Sequence, residues 1–150
     1  MKKLTAAFLL LVASLVVPSV AASDTSGAPR LANLTGAAEV PGPGDLDGSG
    51  SARITLNVGQ MRVCWKIEVT GIATATAAHI HIAPAGVAGP IVVPLSPPTS
   101  GSSTGCRENV DPALVQAIID FPEKYYVNVH NADFPAGALR GQLSNPGQAK

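Results

Sequence analysis

Apolar and polar residues alternate along most of this chain, in short runs broken by Gly and Pro. In "GSARITLNV" (residues 50–58), Ala52, Ile54, Leu56 and Val58 fall on one face, and Arg53, Thr55 and Asn57 on the other. That two-residue period is the signature of a half-exposed strand. Residues 61–70 repeat it: Met61, Val63, Trp65, Ile67 and Val69 point one way, and Arg62, Cys64, Lys66 and Glu68 the other. Residues 31–40, 75–82, 91–95, 125–131 and 139–143 complete the predicted strands. One segment breaks the rhythm. In "NVDPALVQAIIDFPEKYY", Leu114, Val115, Ile118 and Ile119 form a helical stripe, with Asp111 as N-cap and Pro112 at the first helical position. Pro122 stops that helix. The loop "SPPTSGSSTG" (residues 96–105) has no capacity for a core.

Short strands at this spacing predict a mainly β fold, an antiparallel Greek-key β-sandwich or partly closed barrel with one short α-helix. The domain is expected over residues 31–144, with 145–150 as a tail. "SDTSGAPR" (residues 23–30) is small and polar and reads as a flexible lead.

The first 22 residues read as a secretory signal peptide. Lys2 and Lys3 precede an apolar run to Val17, Pro18 ends it, and Ser19, Ala21 and Ala22 suit signal peptidase. The run is short for a membrane span of about 20 residues. The expected product is exported, to the periplasm or the medium, with no membrane contact after cleavage. It keeps eight Lys and Arg against ten Asp and Glu, which gives no electrostatic footprint for nucleic acid. Cys64 and Cys106 make an even pair in an oxidising compartment, so they are expected to form a disulfide. In the chain-entropy view the bond stabilises by roughly 3–4 kcal/mol. Cys64 lies on a polar face, so Cys106 is expected to reach it from a covering loop.

Candidate chemistry concentrates in the three histidines. His79 and His81 are two apart in "AAHIHI" and share a strand face, with Ile80 and Ile82 opposite. In "YYVNVH", His130 shares a face with Tyr126 and Asn128, while Val127 and Val129 point away. If the two strands neighbour each other, aligning their apolar faces brings all three imidazoles to one side. Such a group suits copper or zinc. Glu39 or Asp133 could add an oxygen ligand, and proton competition should weaken binding below about pH 6.5. The bland reading is that the histidines hydrogen-bond structurally. No nucleophile-elbow motif supports a Ser–His–Asp site. Asp45, Asp47, Ser49 and Gly50 match the opening of a calcium loop, but Leu56 stands where a bidentate Glu is required. A Gly-rich turn explains those residues without calcium.

Taken together, "AAEVPGPGDLDGSGSARITL", "VCWKIEVTGI", "ATAAHIHIAPAGVAGPIVVPL" and "YYVNVHNADFPAGALRGQL" resemble the CHRD domain, named for chordin. The resemblance covers residues 30–143, and the chain is similar to small freestanding bacterial-type members. Where the family has Gly after its HIH element, this chain has Ala83 followed by Pro84. The resemblance implies an extracellular β-rich module. Animal relatives bind secreted growth factors through further domains that this sequence lacks, so it implies no specific partner here. The HIH strand also resembles the copper strand of copper–zinc superoxide dismutases, whose sites need more histidines than three.

The resulting expectation is an exported domain that binds copper or zinc through His79, His81 and His130, without established catalysis. Arg140 is expected to pair with a carboxylate or anchor the last strand. The competing classes are a metal-free extracellular interaction or adhesion module, with an unidentified protein partner, and a mononuclear copper redox enzyme.

Overall fold

A computed structural model of the chain describes residues 27–148, so the expected signal peptide lies outside the described residues. The strands are β1 (Ala28–Thr35), β2 (Ser49–Asn57), β3 (Arg62–Thr70), β4 (Ala75–Ile82), β5 (Ile91–Leu95), β6 (Ser102–Arg107), β7 (Tyr125–Asn131) and β8 (Leu139–Gln142). They form one eight-stranded sheet in the order β5-β4-β7-β8-β1-β2-β3-β6, antiparallel throughout. The sheet curls until its edge strands β5 and β6 approach each other, a nearly closed barrel. Across that seam the order β4-β5-β6-β3 is a Greek key. Of the two architectures expected, the partly closed barrel is the one formed.

The inward face follows the alternation read from the sequence. Ala52, Ile54 and Leu56 of β2, Val63, Trp65 and Ile67 of β3, Ala78 and Ile80 of β4, and Val127 and Val129 of β7 are all buried in one core. The helix α1 (Pro112–Asp120) packs Val115 and Ile118 into that core, and the Asp111 side chain accepts a hydrogen bond from Ala113 N–H at 2.9 Å.

Three local expectations are corrected. The lead is not free up to Arg30. Residues 28–30 already pair with Leu56, Thr55 and Ile54, and the Arg30 guanidinium donates to the Ile119 carbonyl in the last turn of α1. That carbonyl has no partner within the helix, so a cation there is favourable. The first strand ends at Thr35 rather than at Val40. Gly36 enters a 3₁₀ turn where an added Cβ would lie 1.9 Å from the Asp45 carbonyl oxygen, so only glycine permits the chain to fold back there. Residues 36–45 then lie across the outside of the sheet, tied by Gly44 N–H to Gly36 O and Asp45 N–H to Ala138 O.

The third correction is β6, most of which falls in the segment expected to be loop. Its inward positions opposite Trp65 and Ile67 are Gly105 and Ser103. The Trp65 ring fills the space: an added Cβ on Gly105 would meet its Cζ2 at 2.6 Å, and Nε1 donates to Ser103 Oγ at 3.0 Å. A strand whose core is supplied by its neighbour carries no apolar alternation of its own. Cys106 therefore faces Cys64 directly across the β3–β6 pair, and the two are joined as a disulfide, without any covering loop.

Candidate metal centre

β4 and β7 are paired so that His79 opposes Asn128, His81 opposes Tyr126 and Ala77 opposes His130. With Ala78, Ile80, Val127 and Val129 committed to the core, the alternating residues must face outward together. Each histidine offers a ring nitrogen within 4.8 Å of the others'. His79 Nδ1 and His130 Nε2 are 3.3 Å apart. Two nitrogens bound tetrahedrally to one ion at about 2.05 Å are separated by about 3.3 Å.

The hydrogen bonds around the rings decide which nitrogens are available. His81 Nδ1 lies 2.9 Å from the Gly89 carbonyl oxygen, which can only accept, so Nδ1 carries the proton. Its Nε2 is left with a lone pair, buried and without a hydrogen-bond partner. His130 repeats the arrangement, with Nδ1 donating to the Pro135 carbonyl at 3.1 Å and Nε2 turned towards His79. Backbone carbonyls that fix imidazole tautomers in this way are the usual outer partners of metal-binding histidines. With His130 Nδ1 protonated, His79 Nδ1–H donates to His130 Nε2.

Gly89 is itself held in place. Its N–H donates to the Tyr126 hydroxyl at 3.1 Å, and a side chain there would collide with the Ile82 carbonyl oxygen at 2.0 Å. The Tyr126 ring stacks on His81 at 4.8 Å between centroids, and the Arg140 guanidinium carbon lies 3.5 Å from the centroid of the same ring. Arg140 and Gln142 donate to the Pro84 and Ala83 carbonyls at 3.0 and 2.8 Å. The segment that departs from the family pattern is thus fastened to β8, at the same turn that leads to Gly89.

Burial, with the neighbouring rings adding to it, lowers the His79 pKa from its ordinary value to about 4. Burial also lowers His81 and His130, against the opposing hydrogen bonds to Gly89 and Pro135. All three rings are therefore neutral at pH 7, the form that binds metals. This moves the expected onset of proton competition below pH 6.5.

Neither carboxylate considered from the sequence joins the three-histidine group. Asp133 is exposed in the loop after β7. Glu39 is buried beneath the 36–45 loop, where its Oε2 accepts from Asn128 Nδ2 at 3.3 Å. Burial raises its pKa to about 7, although the nearby Arg140 charge pulls the other way. Arg140, 1% exposed, fastens the last strand through the Pro84 carbonyl, while its charge acts on Glu39 without a direct ion pair. Asp45 opens a turn, its side chain accepting from Asp47 N–H at 3.2 Å. The partners that sequence reasoning missed are the Gly89 and Pro135 carbonyls, because a backbone acceptor leaves no residue-type signal.

The sequence profile of the CHRD domain matches residues 31–143. This chain belongs to the CHRD domain family. No curated protein and no solved structure matches it. In this CHRD domain the HIH element and the YVNVH element lie side by side and bring their histidines together on one outward face.

Proposed function

We propose that this CHRD domain is exported and binds one divalent transition-metal ion, copper or zinc, through His79, His81 and His130. The supporting observation is the pair of tautomers fixed by Gly89 and Pro135, which leaves two Nε2 lone pairs directed into a three-nitrogen cluster. A bound cation would supply Lewis acidity or redox capacity; the chain's own part is to hold three neutral imidazoles with restricted rotation. The Cys64–Cys106 disulfide suits an oxidising compartment. Among the described residues no helix is long and apolar enough to cross a membrane.

Elemental analysis of tag-free protein purified from its own host tests this reading. The expected result is about one copper or zinc per chain, lost in a chain carrying His79→Ala and His81→Ala. Protein free of metal as isolated, and unable to take it up, would leave a metal-free interaction module with structural histidines as the better account.

A further inference from the structure

Residues 99–109, which carry β6, give the barrel no buried residue, although Pro98 and Val110 on either side are both buried. β6 ends the strand order, and among the described residues its only ladder is with β3. Its inward positions are Ser103 and Gly105, so the apolar surface beneath it belongs to Trp65, which is 7% exposed with β6 in place. An end strand with no apolar side chain of its own is the kind of segment that opens locally. Side-chain links to β3 add to the backbone ladder. Trp65 Nε1 donates to Ser103 Oγ, Arg62 pairs with Glu108 at 2.8 Å, and the Cys64–Cys106 disulfide joins the two strands. The first is one neutral hydrogen bond and the second is partly exposed and screened by water, so the covalent link dominates. Solvent reaches that link: Cys106 is exposed at the sheet edge and Cys64 is half-buried.

We propose that the Cys64–Cys106 bond is a thiol-exchange site that latches β6 onto the barrel, and that its reaction partner is a dithiol reductant. A thiolate of the reductant attacks Cys106 Sγ, the more exposed sulfur. The S–S bond breaks, and its electron pair leaves on Cys64 Sγ, which takes up a proton. The reductant's second thiolate then attacks the reductant sulfur of the mixed disulfide and displaces Cys106, which is protonated in turn. Two electrons and two protons pass from the dithiol to the chain, and the dithiol is left as a disulfide. Reduction frees residues 99–109 between the buried anchors Pro98 and Val110 and uncovers Trp65. β4 and β7 share no ladder with β3 or β6, so the histidine group keeps its geometry. The latch therefore stands or falls independently of the metal reading.

Reduction of the folded, metal-free mature chain by dithiothreitol tests the proposal, read by thiol alkylation and by hydrogen exchange. The bond should be reduced without denaturant at a rate within about 100-fold of that in the denaturant-unfolded chain. Slower reduction overturns the proposal, because a bond reached only through global unfolding reacts at least about 1000-fold more slowly. In the reduced chain, amides over residues 102–107 should exchange at least about tenfold faster, while β7 keeps its protection. Acrylamide should quench the fluorescence of Trp65, the one tryptophan of the chain, more strongly than in the oxidised form. A chain carrying Cys64→Ser and Cys106→Ser should show the same pattern with no reagent present, and reduced wild type gives the answer even where that variant fails to fold. Unchanged exchange over residues 102–107 in reduced wild type overturns the latch. Loss of protection throughout the barrel overturns it equally, since the bond would then hold the whole fold rather than one strand.

Discussion

The two faces of the β4–β7 pair are held by different forces. On the inner face Ala78, Ile80, Val127 and Val129 are buried, and nothing about them needs a partner of defined direction. On the outer face His81, Tyr126 and Asn128 are buried as well, but each is tied by a directed contact: His81 to Gly89, Tyr126 to Gly89, Asn128 to Glu39. The inner face can be satisfied by any apolar group of the right volume. The outer face tolerates only the matching donor or acceptor, and it retains unpaired atoms at His81 and Asn128.

Substitutions on opposite faces should therefore separate cleanly. Ile80→Ala should destabilise the fold by about 2–5 kcal/mol, through lost burial and the cavity left behind. Metal affinity of the fraction still folded should be unchanged. Denaturant unfolding beside metal titration checks both, and a matching fall in affinity would show that the faces are not separable.

Tyr126→Phe keeps the ring that stacks on His81 but removes the oxygen that receives Gly89 N–H. Metal affinity should fall by about 10–100-fold, the usual effect of loosening an outer partner. The accompanying stability loss should be near 1 kcal/mol. Wild-type affinity in this variant would mean that the Gly89 carbonyl does not depend on Tyr126 for its position.

Asp111→Ala tests a polar contact remote from the site. It should cost about 0.5–2 kcal/mol of stability through loss of the helix cap, with metal affinity intact.

A pH-dependent effect should appear in the acid limb of stability. Folded histidines with lowered pKa values bind fewer protons than the unfolded chain, whose imidazoles titrate near 6.5. Their contribution should become unfavourable as pH falls through 6.5 and grow until about 4, where His79 titrates in the folded state. Glu39 works in the opposite direction. Its raised pKa makes the folded chain bind more protons, so its contribution improves as pH falls through about 7. Glu39→Gln should remove that gain and leave a steeper acid decline, measured by melts of metal-free protein between pH 8 and 4.

The alternation of apolar and polar residues already distinguishes both faces in the sequence. His79, His81 and His130 could be placed together because Ile80, Val127 and Val129 fix the inward parity of their strands. The capped helix was legible for a similar reason, since Asp111, Pro112 and the apolar stripe are all local signals. Contacts made between distant segments were not. β6 is invisible because Trp65 of the neighbouring strand does its packing, and the turn at Gly36 is set by the approach of Asp45. Within the site, ring identity was readable, but the choice of free nitrogen was not. It rests on the carbonyls of Gly89 and Pro135, which any residue sequence would supply.

Titration of metal-free, tag-free protein with Zn(II) or Cu(II) at pH 7.5, wild type beside His130→Ala, tests the central claim most directly. His130 is the informative position because strand pairing alone brings it to the other two histidines. The account predicts one ion per chain with submicromolar affinity, weakened at least about 100-fold by His130→Ala, while the fold is retained. Micromolar or weaker wild-type affinity that His130→Ala leaves unchanged would contradict it.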